Sequence, residues 1–115
     1  MVDATDRVAV VVDSAASLPA WALDDPLLHV VPMQLVVAGR TYLDGEELSP
    51  TEFYRMQRGL SDAPTTAAPS PQSYMAAFEE AGRRSSSILC LCVARRYSAA
   101  HDSALLAVRQ AQESL

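Results

Sequence analysis

Two rhythms of apolar and polar residues alternate along this chain, and each change of rhythm marks an element. Arg7-Val8-Ala9-Val10-Val11-Val12 is an unbroken β-branched run, the pattern of a strand buried on both faces. Asp13-Ser14 ends it, and Ser17-Leu18-Pro19 opens a short helix containing Trp21. A second run, Leu28-His29-Val30-Val31, stops at Pro32 and is followed by Gln34-Leu35-Val36-Val37. Ala38-Gly39 then turns the chain into Arg40-Thr41-Tyr42, which reads as a hairpin closed by the Asp44-Gly45 turn. Ser49-Pro50-Thr51-Glu52 combines a cap, a proline at the first helical position and a glutamate three residues on, predicting a helix to about Arg58.

Residues 59–69 read as a loop. Tyr74, Ala77, Phe78 and Ala81 then fall at helical spacing, so a helix runs from Pro71 to about Arg83. Ser87 to Val93 is the second strongly buried strand, and Ser98 to about Ser114 is a helix striped with Ala104, Leu105, Val108 and Ala111. Strands alternating with helices predict an α/β fold: a mainly parallel sheet, helices on both faces, right-handed crossovers. A chain of 115 residues has room for one domain and one core.

Composition narrows the class. Half the residues are apolar and a fifth charged, which is globular, and a net charge of −5 argues against a nucleic-acid surface. Lysine is absent, and the nine arginines are scattered as solvated faces would have them. No basic start with a long apolar run opens the chain and no stretch reaches membrane-spanning length, so a cytoplasmic protein is expected. Cys90 and Cys92, at i and i+2 on a strand, share a face and are disfavoured as a disulfide pair; they read as reduced core thiols, with no metal cluster to join.

In such sheets, ligands bind beyond the carboxyl ends of the strands. There the sequence places Ser14, the loop Pro64-Thr65-Thr66-Ala67-Ala68-Pro69-Ser70-Pro71 and the segment Ala94 to Ser98. Ser14, Thr66 and Ser98 are expected to converge, with the N-terminus of the following helix welcoming a small anion. Asp13 reads as an acceptor of backbone N–H groups in its own loop. Ser14 has no partnered histidine and no G-x-S-x-G elbow, so a nucleophile is not indicated. His29 reads as a satisfied core or edge histidine, and His101 as a residue in the first turns of the last helix, with a place at the pocket mouth as the alternative.

Six segments, in order, resemble the DegV family of bacterial fatty-acid-binding proteins. Val10 to Pro19 is similar to the family's "DSSSDLP" opening, Val31-Pro32-Met33 to "VPL", and Gly39 to Gly45 to "GKTYLDG". Ser49 to Tyr54 resembles "SxEEFY", Thr66 to Pro71 resembles "TSQPSP", and Ala94 to Ala104 resembles "SSKLSGTYQSA". The resemblance implies a non-catalytic protein that holds one long-chain fatty acid between two α/β domains, with no other cofactor. It implies that Thr66 and Ser98 hold the carboxylate, helped by the backbone around Ala99 and by residues of the second domain. It also implies a fatty-acid kinase partner to which the acyl group is presented.

The chain departs from the pattern at several positions. Ala67-Ala68 replace serine and glutamine, and Ala99-Ala100 replace glycine and threonine, so a backbone that needed positive φ at 99 would be resisted. Family members are more than twice as long, so 1–115 reads as their N-terminal domain. Tight lipid binding would then need a second domain, a partner chain or a homo-oligomer. The competing readings are an interaction or dimerisation module, and a substrate-binding subunit like that of dihydroxyacetone kinase.

Overall fold

Strand β1 (Val8–Asp13) lies at the centre of a parallel sheet, flanked by β2 (Leu28–Val31) and β6 (Ser87–Leu91), in a computed structural model that describes residues 7–114. Val11 stands opposite His29 on one side and Cys90 on the other. The pleat sends Ala9 and Val11 to one face and Val8, Val10 and Val12 to the other. The first face carries the core. Helix α3 (Pro71–Gly82) lays Tyr74, Phe78 and Ala81 on Ala9, Val11 and Val31, and α4 (Ala100–Ser114) adds Ala104 and Ala107. On the second face the short helix α1 (Ala20–Leu23) brings Trp21 and Ala22 to a shallow cavity with Val8, Val10 and Leu28.

The apolar runs therefore predicted strands correctly but overstated their burial. Val8 is half-exposed, and β6 ends at Leu91 with Leu89 and Leu91 about half exposed. A run of apolar residues reports strand propensity; it does not report whether a strand lies at the centre or the edge of its sheet.

A second, antiparallel sheet departs from the single mainly parallel sheet expected. Strands β3 (Gln34–Val37) and β4 (Arg40–Leu43) form the predicted hairpin, and its two-residue turn has positive φ at both Ala38 (50°) and Gly39 (79°). Strand β5 (Thr65–Ala67) pairs with the other edge of β3, giving the order β4-β3-β5. Those three residues read as loop because so short a segment, between prolines, has no periodicity of its own; β3 supplies its hydrogen bonds.

Helix α2 (Pro50–Gln57) carries the predicted capping box: Glu52 N–H donates to Ser49 Oγ at 3.2 Å, and Ser49 N–H to Glu52 Oε1 at 3.3 Å. Ser70 Oγ likewise accepts from the Ser73 N–H at 3.1 Å, with Pro71 at the first position of α3. Among the described residues no helix is long and apolar enough to cross a membrane.

Candidate functional site

The carboxyl end of β1 organises the site. Asp13 is almost fully buried; Oδ1 accepts from Ala15 N–H at 2.9 Å and Oδ2 from Val93 N–H at 2.8 Å. One carboxylate thus caps the 3₁₀ turn Ser14–Ala16 and ties the segment after β6 to β1. This is the structural role its sequence context indicated. Ser14 Oγ accepts from the Met33 N–H at 2.9 Å, pinning the passage from the first sheet to the second. Its hydroxyl proton remains available to a further acceptor.

Between the two sheets opens a cavity of about 600 Å³, within the usual range for small-molecule sites. Leu18, Val30, Leu35, Phe53 and Tyr54 wall it, and Ser14 stands at its edge beside Asp13 and Asp44. Thr66 pairs with Leu35 across the second sheet, and directly paired residues project from the same face. Since Leu35 lines the cavity, Thr66 belongs to the cavity side of that sheet. The end of β5 is held there by Gln34 Nε2, which donates to the Ala68 carbonyl at 2.9 Å.

Ser98 and Ala99 stand elsewhere, outside the lining of this cavity. Ser98 Oγ accepts from the Ala100 N–H at 3.1 Å, so it caps α4, and the Ala99 carbonyl accepts from the Ser103 N–H at 3.0 Å. Among the described residues, only Ser17, Ala38 and two glycines have positive φ, so alanine is unstrained at 99. Ser14 lines the cavity, and Thr66, though on the same side of its sheet as Leu35, is outside that lining. The chain leading to Ser98 is connected to it through the Val93–Asp13 bond.

The charged and aromatic neighbours are largely occupied with each other. Arg95 Nε lies 3.3 Å from Asp102 Oδ1, and the Arg96 guanidinium sits over the Tyr97 ring at 5.9 Å. His101 Nδ1 is 3.6 Å from Asp102 Oδ1, beyond hydrogen-bond length, and is buried without a partner; His101 lines none of the cavities described. His29 Nε2 is also buried and unpartnered, which corrects the expectation of a satisfied histidine.

Tyr74 is the group that periodicity concealed. It fills a core position of α3 as expected, yet its fully buried hydroxyl has no hydrogen-bond partner. Burial, then the nearby Asp13 carboxylate, hold the phenol well above its ordinary range. The signal was the residue type: a tyrosine, not a phenylalanine, on an otherwise apolar stripe. Burial likewise pushes the Cys90 thiol up to about 11, with Cys92 and Asp13 adding to it, and raises Cys92. Both thiols are free and partly buried.

Comparison with known proteins completes the description. A family model described as "Uncharacterised protein, DegV family" matches residues 7–115. A DegV domain-containing protein of Listeria monocytogenes is 36% identical over 74 residues, which are 64% of this chain and 26% of that protein. A solved DegV family protein from Thermus thermophilus, described for its fatty acid binding, superposes with a TM-score of 0.78 at 32% identity, over 90% of this chain and 37% of its own. A stearic acid-binding protein from Eubacterium ventriosum gives a TM-score of 0.84 at 26% identity, over 94% of this chain and 38% of its own. The chain thus spans about a quarter to two-fifths of the length of these relatives.

Proposed function

Because the chain belongs to the DegV family, we propose that it is a non-catalytic fatty-acid-binding module, the first of the two domains that enclose the lipid. The observation that supports this reading is the cavity between the two sheets, walled by apolar residues, with Ser14 in its lining and Thr66 on the same side of the second sheet as Leu35. A fatty acid needs donors for its carboxylate and a dry lining for its chain. Thr66 supplies a hydroxyl donor; Ser98 and the Ala99 backbone N–H, just before α4 and outside the lining of this cavity, supply the further donors that membership of the family implies, where the helix dipole favours an anion. Ser14 donates its remaining proton from the β1 end. Leu18, Val30, Leu35 and Phe53 receive the chain, at about 0.8 kcal/mol per methylene removed from water. The partner in this reading is a cytoplasmic kinase that phosphorylates the presented carboxylate.

Native mass spectrometry of the gently purified chain tests the proposal. The expected result is an added mass matching a C16–C18 fatty acid, reduced about tenfold or more in occupancy by Thr66→Ala, since a hydrogen bond to a charged group contributes roughly 1.5–3 kcal/mol. Undiminished lipid in Thr66→Ala would remove Thr66 from the head-group site. A bare mass in excess palmitate, even with a second domain supplied, would overturn the reading altogether.

A further inference from the structure

The head-group residues proposed above come from segments that lie far apart in sequence: Ser14 follows β1, Thr66 lies on β5, and Ser98 precedes α4. One carboxylate can use them together only if their backbones keep a fixed relation, since a loosely placed donor loses in ordering what it gains in bonding. The strand ladders do not supply that relation. The register of β1 with β6 ends at Val12 and Leu91, short of Ser14 and of the segment leading to Ser98, and β5 belongs to the other sheet.

Side chains supply it, and Asp13 stands at their centre. It is 3% exposed, and its two oxygens serve different segments: Oδ1 accepts from the Ala15 N–H at 2.9 Å and Oδ2 from the Val93 N–H at 2.8 Å. From Val93 the chain reaches Ser98 through a closed turn. The Ala94 carbonyl accepts from the N–H groups of Tyr97 at 2.8 Å and Ser98 at 3.2 Å, and Ser98 Oγ accepts from the Ala100 N–H. On the other side, Ser14 Oγ accepts from the Met33 N–H. Gln34, next in the chain, donates through Nε2 to the Ala68 carbonyl, two residues beyond Thr66. A line of hydrogen bonds thus runs from the Ser98 segment through Asp13 and Ser14 to the strand that carries Thr66.

We infer that Asp13 is a positioning residue for the bound carboxylate: its two bonds hold the Ser14 turn and the Ser98 segment in the relation that lets their donors serve one head group. The inference rests on the lipid-binding reading and names a residue that acts through others, not by contact with the ligand. Aspartate is the residue type this place requires. A carboxylate presents an acceptor on each oxygen, whereas an asparagine of the same shape presents one acceptor and one NH₂ group. In Asp13→Asn one of the two backbone N–H groups faces that NH₂, so one of the two segments is released while the volume of the side chain is kept.

Palmitate titrations followed by native mass spectrometry test the inference on the wild-type chain, Asp13→Asn, Ser98→Ala and the double variant, with a second domain supplied if the wild-type chain alone stays bare. The expected result is a folded Asp13→Asn chain whose palmitate affinity falls on the order of tenfold. Removing a negative charge does not by itself weaken the binding of an anion, so a fall reports the lost bond. In the double variant the two losses should be less than additive, because Asp13 acts through the Ser98 segment. Phe78→Leu, in the core between α3 and the parallel sheet, should lower the denaturation midpoint and leave palmitate affinity unchanged. Should Asp13→Asn fail to fold, the wild-type chain provides the test: palmitate should slow hydrogen exchange at the Ala15 and Val93 amides together, since coupling between two sites is reciprocal. Full affinity in Asp13→Asn, strictly additive losses, an equal loss in Phe78→Leu, or amides at 15 and 93 indifferent to palmitate would each overturn the inference while the wild-type chain still carries lipid. A wild-type chain bare in excess palmitate, second domain included, overturns the lipid-binding reading and this inference with it.

Discussion

The Asp13 carboxylate holds two backbone segments at once, and this single residue shows how much local chemistry is readable from sequence. An aspartate at a strand end, followed by serine, is an acceptor of loop N–H groups whatever the fold. That it also reaches Val93, eighty residues away, depends on β1 and β6 being neighbours. Cys90 gives a prediction at the same scale. Its folded pKa of about 11 lies above the ordinary 9.0 because burial opposes the thiolate. The stability it contributes is therefore intact below pH 9 and lost as pH rises from 9 through 11, since the unfolded chain releases its proton first. Chemical denaturation across that window should show a decline in stability that is shallower in Cys90→Ala. Cys92 and Tyr74, raised in the same direction, leave a residual slope.

Among the elements, those with local signals were legible and those held by a neighbour were not. The boundaries of α2 and α3 are set by Ser49 and Ser70, whose caps involve contacts only three residues long. Ser49→Ala should cost about 1 kcal/mol, seen as a lower denaturation midpoint, because it removes the Oγ that accepts from the Glu52 N–H, while the bond from the residue 49 N–H to Glu52 Oε1 is kept. An unchanged midpoint would show that packing alone holds α2. Strand β5 is the opposite case. Thr65 to Ala67 is a strand because β3 presents to it the edge that β4 leaves unused. Thr66 was thus recognisable as a candidate site residue while its setting, a strand and not a loop, was not.

At the scale of the whole molecule, the two sheets stand apart with a cavity between them. The radius of gyration is 15.5 Å, against about 13 Å for a compact domain of this length, and the extents are 53 × 30 × 22 Å. An acyl chain in that cavity would keep one side in water. Each uncovered methylene forfeits up to about 0.8 kcal/mol. Isothermal titration should therefore find palmitate bound more weakly than micromolar by the isolated monomer, and more tightly when a second domain or partner chain is added. Micromolar or tighter binding by the monomer alone would contradict this.

What the sequence determined by itself is whatever depends on near neighbours in the chain: the helix caps, the hairpin turn at Ala38-Gly39, the strand character of β1 and β6, and the motif residues Thr66 and Ser98. Tertiary structure alone decided which strands pair, that β6 lies at an edge of the sheet among the described residues, that Tyr74 and His29 carry buried polar atoms without partners, and that Ser14 lines the cavity while Ser98 caps α4 outside it. The division has one physical reason. Propensity and capping act over three or four residues, whereas burial and pairing are properties of surfaces assembled from distant parts of the chain, and the same apolar run satisfies a central strand or an uncovered edge equally well.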